Sequence, residues 1–120
     1  MKSLAFSVII PTFNRPDLLD RALKSLENQS YRNFEVIIVD DGSEDPVSVR
    51  DDYKLPRVKI FRHDVNGGVA MAYNTAIRES SGDILSILND DDEYLPDFLG
   101  KMNNSFNENP LHSFGWSSVT

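Results

Sequence analysis

The feature that most constrains the fold is an alternation between two apolar periods along one short chain. The runs Phe6–Ile10, Phe34–Val39, Val58–Phe61 and Ile84–Leu88 are short, rich in β-branched residues, and read as buried strands. Between them the spacing changes to that of a helix. Leu18, Leu19, Ala22, Leu23 and Leu26 share one helical face, entered through Asn14 and Pro16. Val69, Ala72, Tyr73, Ala76 and Ile77 share another, entered through Asn66-Gly67-Gly68 and left through Ser81-Gly82. Pro96 is expected to open a third, with Phe98, Leu99, Met102 and Phe106 inward. Ser43–Tyr53 reads as a short irregular helix, because Pro46 suits a first turn while Asp51-Asp52 is poor helix interior. Ser113–Val119 has the composition of a further strand.

Strand and helix in strict alternation imply an α/β fold, a mainly parallel sheet sandwiched between two helical layers. Right-handed crossovers wind the first three strands outward in one direction. With the fourth strand on the other side of the first, the order is 3-2-1-4. Open sheets of this kind bind ligands outside the carboxyl ends of the strands, where the order reverses. Chemistry is therefore expected just after Ile10, Val39 and Leu88.

At 120 residues the chain is expected to be one domain with one modest core. Nineteen acids against 12 bases give a net charge of −7, which argues against a nucleic-acid partner. Without cysteine there is no disulfide, thiolate zinc site or cysteine nucleophile, and a reducing, cytoplasmic compartment is expected. Apolar runs are too short to span a bilayer. The run behind Met1-Lys2 lacks a small-residue cleavage site, so no signal peptide is expected.

Three polar clusters stand at the expected strand ends: Pro11-Thr12-Phe13-Asn14, Asp40-Asp41-Gly42-Ser43 and Asn89-Asp90-Asp91-Asp92-Glu93. Four successive acids repel one another, and a hard divalent cation such as Mg²⁺ or Mn²⁺ relieves that repulsion. The plainer reading is a solvated acidic loop before a helix N-terminus. Asp-Gly is ordinary turn chemistry, but a second aspartate at the strand end suggests an acceptor for a base N–H or a ribose hydroxyl. Phe13 is suited either to stacking on a base ring or to the core. Asn66-Gly67-Gly68 offers backbone N–H groups for a phosphate, or is a plain turn. Neither G-x-G-x-x-G nor G-x-x-x-x-G-K-[ST] occurs. His63 and His112 lack metal-ligand spacing and read as structural or surface residues.

Ser7–Arg15, Phe34–Ser43, Asn66–Ile77 and Gly82–Pro96, in this order and spacing, resemble the family 2 glycosyltransferases. The resemblance implies a GT-A, Rossmann-like fold, an inverting transfer of a sugar from a UDP- or GDP-sugar to a carbohydrate or lipid-linked acceptor, and Mg²⁺ or Mn²⁺ at a D-x-D motif. It assigns Pro11, Thr12 and Phe13 to the nucleoside pocket and Asp41 to the base, with Asp40 beside it. Asn74 falls in the donor-binding helix. Asn89-Asp90-Asp91 falls on the D-x-D, with Asn89 or Asp90 toward the ribose and Asp91 on the metal; Asp92 is the alternative ligand in a shifted register. Asn89 departs from the usual first Asp, and Tyr73 stands where an Arg is common. The family's acceptor-binding half and catalytic base lie beyond the matched segment, so no base is assigned. A sugar-1-phosphate nucleotidyltransferase shares the architecture, but Pro11–Arg15 lacks that enzyme's glycine-rich loop. A phosphoacceptor receiver module puts its acidic pair after the first strand, whereas here the acids follow the second and fourth.

Overall fold

The computed structural model describes residues 2–50 and 52–108. Four parallel strands, β1 (Phe6–Thr12), β2 (Phe34–Asp40), β3 (Val58–Arg62) and β4 (Ile84–Ile87), form one sheet in the order β3-β2-β1-β4. Helices α1 (Pro16–Glu27) and α3 (Phe98–Glu108) cover one face, and α2 (Val69–Glu79) covers the other. This is the three-layer α/β architecture expected from the alternating periods. The call on Ser113–Val119 lies outside the described residues.

The sheet is buried most deeply at its centre. Every residue of β2 is buried, and β1 is buried except at Pro11, as the continuous apolar runs require. Side chains alternate between the faces. Phe6, Val8, Ile10, Phe34, Val36 and Ile38 pack beneath α1 and α3, while Ile9, Ile37 and Val39 pack on Ala72 and Ala76 of α2.

The outer strands depart from the expectation of full burial. In β4, Ile84 and Ser86 are half-buried on the α1 side, whereas Leu85 and Ile87 are 45% and 50% exposed. They lie beside Ser7 and Ile9 in register, beyond the reach of α2, which packs over β1 and β2. Val69 and Ile77, expected inward on α2, are also exposed; its buried contact narrows to Ala72 and Ala76 with Tyr73 at the flank.

Three further expectations are corrected. Ser43–Tyr53 is irregular rather than helical, apart from its one undescribed residue, Asp51. Asp40 accepts the amides of Ser43 and Val47, which draws the chain around the carboxylate, while Val47, Val49 and Tyr53 pack against the core. Asn14 does not cap α1: it sits at φ 53° with its side chain accepting from the Glu44 amide, and Arg15 occupies the cap position. The last helix begins at Phe98, after a Pro96-Asp97 turn, rather than at Pro96.

At the amino edge of the sheet lies a buried charge, Glu35, which is 2% exposed. Its Oε2 accepts from Ser7 Oγ at 2.6 Å, Ser81 N at 2.7 Å and Ser81 Oγ at 3.0 Å. Oε1 has no well-aligned hydrogen bond but stands 2.9 Å from Lys59 Nζ, so ionic attraction satisfies it. Gly82 closes the network by donating to Ser7 Oγ; a Cβ there would lie 2.6 Å from that oxygen, so no larger residue fits.

Candidate functional site

The carboxyl ends of β1, β2 and β4 are tied together at one residue, Thr12. Its carbonyl accepts from the Asp41 amide at 3.0 Å, and its hydroxyl donates to Asp90 Oδ2 at 2.8 Å. Leu88 N also donates to the Ile9 carbonyl, extending the β1–β4 pairing one residue past the strand. The three polar clusters therefore converge at the point where the strand order reverses, as the alternation predicts.

Asp40 is fully buried and committed to protein donors. It accepts from Ser43 N and Val47 N at 3.0 Å and from Arg62 Nη1 at 2.7 Å, while Arg62 Nη2 reaches the Ser43 carbonyl. Burial pushes its carboxyl up, but the bonds from Ser43, Val47 and Arg62 outweigh this and hold it below the ordinary aspartate value. Asp40 thus shapes the loop after β2 from within.

Asp41 faces the other way. Its Oδ1 accepts from His63 Nδ1 at 3.0 Å and Gly67 N at 2.9 Å, and its Oδ2 accepts from Gly68 N at 2.8 Å. Burial again pushes the carboxyl up, and the Gly67 amide, His63 and the Gly68 amide bring it below the usual value. The Gly67 and Gly68 amides, read from sequence as donors for a phosphate or as part of a plain turn, are thus already bonded to the protein's own anion. Gly42 allows this approach: at φ +88° its Cβ position lies 3.0 Å from Asn66 N.

The acidic run meets basic partners that the sequence reading missed. Arg15 Nη1 lies 3.3 Å from Asp90 Oδ1 and 3.9 Å from Asp91 Oδ2, and Arg21 reaches the Asp91 carbonyl and Glu93. Arg15 stands at the cap position of α1 and Arg21 midway along it, a juxtaposition set by β1–β4 pairing rather than by sequence spacing. Asp90 is 6% exposed and held by Thr12 and Arg15. The Asp91 side chain is 56% exposed; Asn89 is exposed and Asp92 half-buried in the same turn, closed by Asp92 N on the Asn89 carbonyl.

Among the described residues, no group of three or more His, Cys, Asp or Glu is placed to hold a metal ion. One outward carboxylate beside a second one fits a cation that arrives with a diphosphate and completes its shell with phosphate oxygens and water. Asp91 is the outward carboxylate, and Asp92 follows it in the chain.

Pro11 is half-buried, and Phe13 is 39% exposed and belongs to neither core cluster, which removes the core reading of that ring. Asn74 is exposed on α2 and lines a cleft of about 530 Å³ with Phe61, His63 and Met71. A larger cleft of about 800 Å³ lies between α1 and the Ser43–Tyr53 segment and includes only Thr12 of the expected residues. The expected residues thus cluster on an open sheet edge, with Asn74 set apart on the helix. No helix among the described residues is long and apolar enough to cross a membrane.

The chain is 36% identical over 116 residues to the GalNAc(5)-diNAcBac-PP-undecaprenol beta-1,3-glucosyltransferase of Campylobacter jejuni, covering 91% of this chain and 37% of that protein. S. aureus TarS 1–349 in complex with UDP-GlcNAc superposes with a TM-score of 0.82 at 26% identity, over 96% of this chain and 37% of that one. The mannosyltransferase PcManGT of Pyrobaculum calidifontis, in complex with GDP-Man and Mn²⁺, gives a TM-score of 0.67 at 26% identity, over 78% of this chain and 29% of that one. The chain spans less than half the length of these curated relatives, from 43% down to 14%, and 37% of the Campylobacter protein. The glycosyl transferase family 2 model matches residues 7–117, and with its parallel 3-2-1-4 sheet the chain belongs to that family.

Proposed function

We propose that these residues form the donor-binding domain of a glycosyltransferase, without the acceptor-binding half. The reaction moves a sugar from a UDP- or GDP-sugar to a hydroxyl of a carbohydrate or lipid-linked acceptor in polysaccharide or glycoconjugate synthesis. The observation that carries this reading is the Thr12 junction, which fixes three ligand-facing loops at the reversal of strand order. Complexes of structural neighbours with UDP-GlcNAc and with GDP-Man support the donor class.

In this reading Pro11 and Thr12 floor the nucleoside pocket and Phe13 stacks on the base. Asp41 accepts a base N–H, and Asp40 holds the loop that presents it. Asn89 and Asp90 face the ribose, while Asn74 lies along α2 on the diphosphate side. Asp91, with Asp92, holds Mg²⁺ or Mn²⁺, which when bound neutralises charge on the departing diphosphate. Arg15 sits against Asp90 and Asp91 and orients them. No described residue is assigned as base for the acceptor hydroxyl. A lipid-linked acceptor, as named for the Campylobacter relative, supports a reaction in the cytoplasm, at the membrane's cytoplasmic face.

Calorimetry with UDP and GDP, each with Mn²⁺ and after chelation, tests the reading. Expected are metal-dependent binding and a loss of about tenfold or more in Asp91→Ala and Asp41→Ala. Binding indifferent to chelation and to both substitutions overturns it. UDP release from a UDP-sugar incubated with the chain separates turnover from binding alone.

A further inference from the structure

His63 belongs to none of the roles above, yet it joins three elements at the candidate site. It follows β3 directly, and its amide continues the β3–β2 ladder by donating to the Asp40 carbonyl at 2.9 Å. Its ring spans from Asp41 Oδ1, 3.0 Å from Nδ1, to Thr75 Oγ1 on α2, 2.8 Å from Nε2. The side chain is 17% exposed. We propose that His63 is a positioning residue for nucleotide recognition, which fixes the Asp41 carboxylate and leaves one oxygen open to the ligand; this rests on reading Asp41 as the base acceptor.

The chemistry fixes the direction of each bond. An ionised carboxylate only accepts, so Nδ1 carries the proton toward Asp41, and in the neutral ring Nε2 accepts from the Thr75 hydroxyl. A carboxylate offers about four acceptor positions, two on each oxygen. Among the described residues, Oδ1 takes His63 and Gly67, while Oδ2 takes Gly68 alone. One position therefore remains, on Oδ2. Without His63 an acceptor opens on Oδ1 as well, and the geometry that selects Oδ2 for a ligand N–H is lost. Thr75 keeps the ring from turning away, and it ties that selection to α2.

The test uses the whole chain with UDP and with GDP, in the presence of Mn²⁺, and compares substitutions that mimic one ring nitrogen each. An Asn amide occupies the place of Nδ1, and a Gln amide reaches that of Nε2. His63→Ala and His63→Gln are expected to weaken nucleotide binding about tenfold, and His63→Asn to restore it to within about threefold. Without ligand, the Gly67 and Gly68 amide resonances in ¹⁵N spectra are expected to move in His63→Ala and His63→Gln and to stay near their positions in His63→Asn. Unchanged affinity in His63→Ala, with Asp41→Ala still weakened, overturns this inference alone. Equal losses in the Asn and Gln variants, with folding intact, overturn it too. Failure of the unsubstituted chain to bind either nucleotide overturns the underlying reading of Asp41.

Discussion

Asp40 and Asp41 follow one another, and their carboxylates serve opposite faces of the sheet: Asp40 gathers Ser43, Val47 and Arg62, and Asp41 gathers His63, Gly67 and Gly68. Sequence reading identified both as ligand-facing polar groups at a strand end. It did not show their partners, because those lie as far as 27 residues away and are brought in by the β2–β3 pairing. The Asn66-Gly67-Gly68 turn and the Asp41-Gly42 turn were each legible; that one satisfies the other was not. Glu35 was invisible as a site for the same reason, since nothing in a strand sequence marks the residue that will face Lys59 and Ser81. Burial pushes its carboxyl up, but Ser7, Ser81 and Lys59 more than compensate, bringing it from 4.5 down to about 2. A depressed folded value means stability is present above the unfolded value and lost as pH falls from about 4.5 toward 2. Glu35 is expected to contribute about 3 kcal/mol above that window. Urea unfolding of the parent and of Glu35→Gln at pH 7 and pH 3 checks this: the gap between them should shrink at pH 3.

Among the elements, the strands were the most legible and their surroundings the least. A continuous apolar run predicts burial on both faces, which holds for β2 and β1. β4 carries the same kind of residues, yet only four of them pair, and half of its side chains stay exposed because α2 lies over its neighbours. Composition sets the strand; position in the sheet sets its burial. The difference is measurable. Ile37 is fully buried beneath α2, and Ile37→Ala is expected to cost about 3 kcal/mol. Ile87→Ala, at a half-exposed site, is expected to cost less than about 1 kcal/mol in the same denaturation experiment. Helix boundaries were less legible than helix faces. Asn14 has the composition of a cap, but its side chain serves the Glu44 amide, a partner 30 residues away.

At the scale of the whole molecule, the sheet has two charged poles. Glu35 and its partners close the amino edge, and the Thr12 junction with Asp41, Asp90 and Asp91 forms the carboxyl edge. Glu35 and Asp40 lie five strand rises apart, a distance of about 16 Å at ordinary strand rise. Stability and ligand binding should therefore separate by mutation. Glu35→Gln is expected to lower stability while leaving nucleotide affinity within about twofold, and Asp91→Asn to do the reverse. Paired denaturation and calorimetry on both variants check the separation. Position at a reversing sheet was what made the acidic run readable as a site. Its arginine partners were not readable, because the fold, not the spacing, places Arg15 and Arg21 beside it.

The hold of Asp41 on the two residues before α2 also bears on the order in which the chain folds. Gly68 offers the helix no side-chain cap, and its first turn holds no acid. Eleven residues are too few for a stable helix in isolation. The anion that holds the Gly67 and Gly68 amides follows β2 and lies 26 residues before Gly67, so a loop must close before the entry to that helix is fixed. α2 is thus expected to consolidate late, once β2 and β3 have paired, and the Asp41 carboxylate to take its final geometry in the same step.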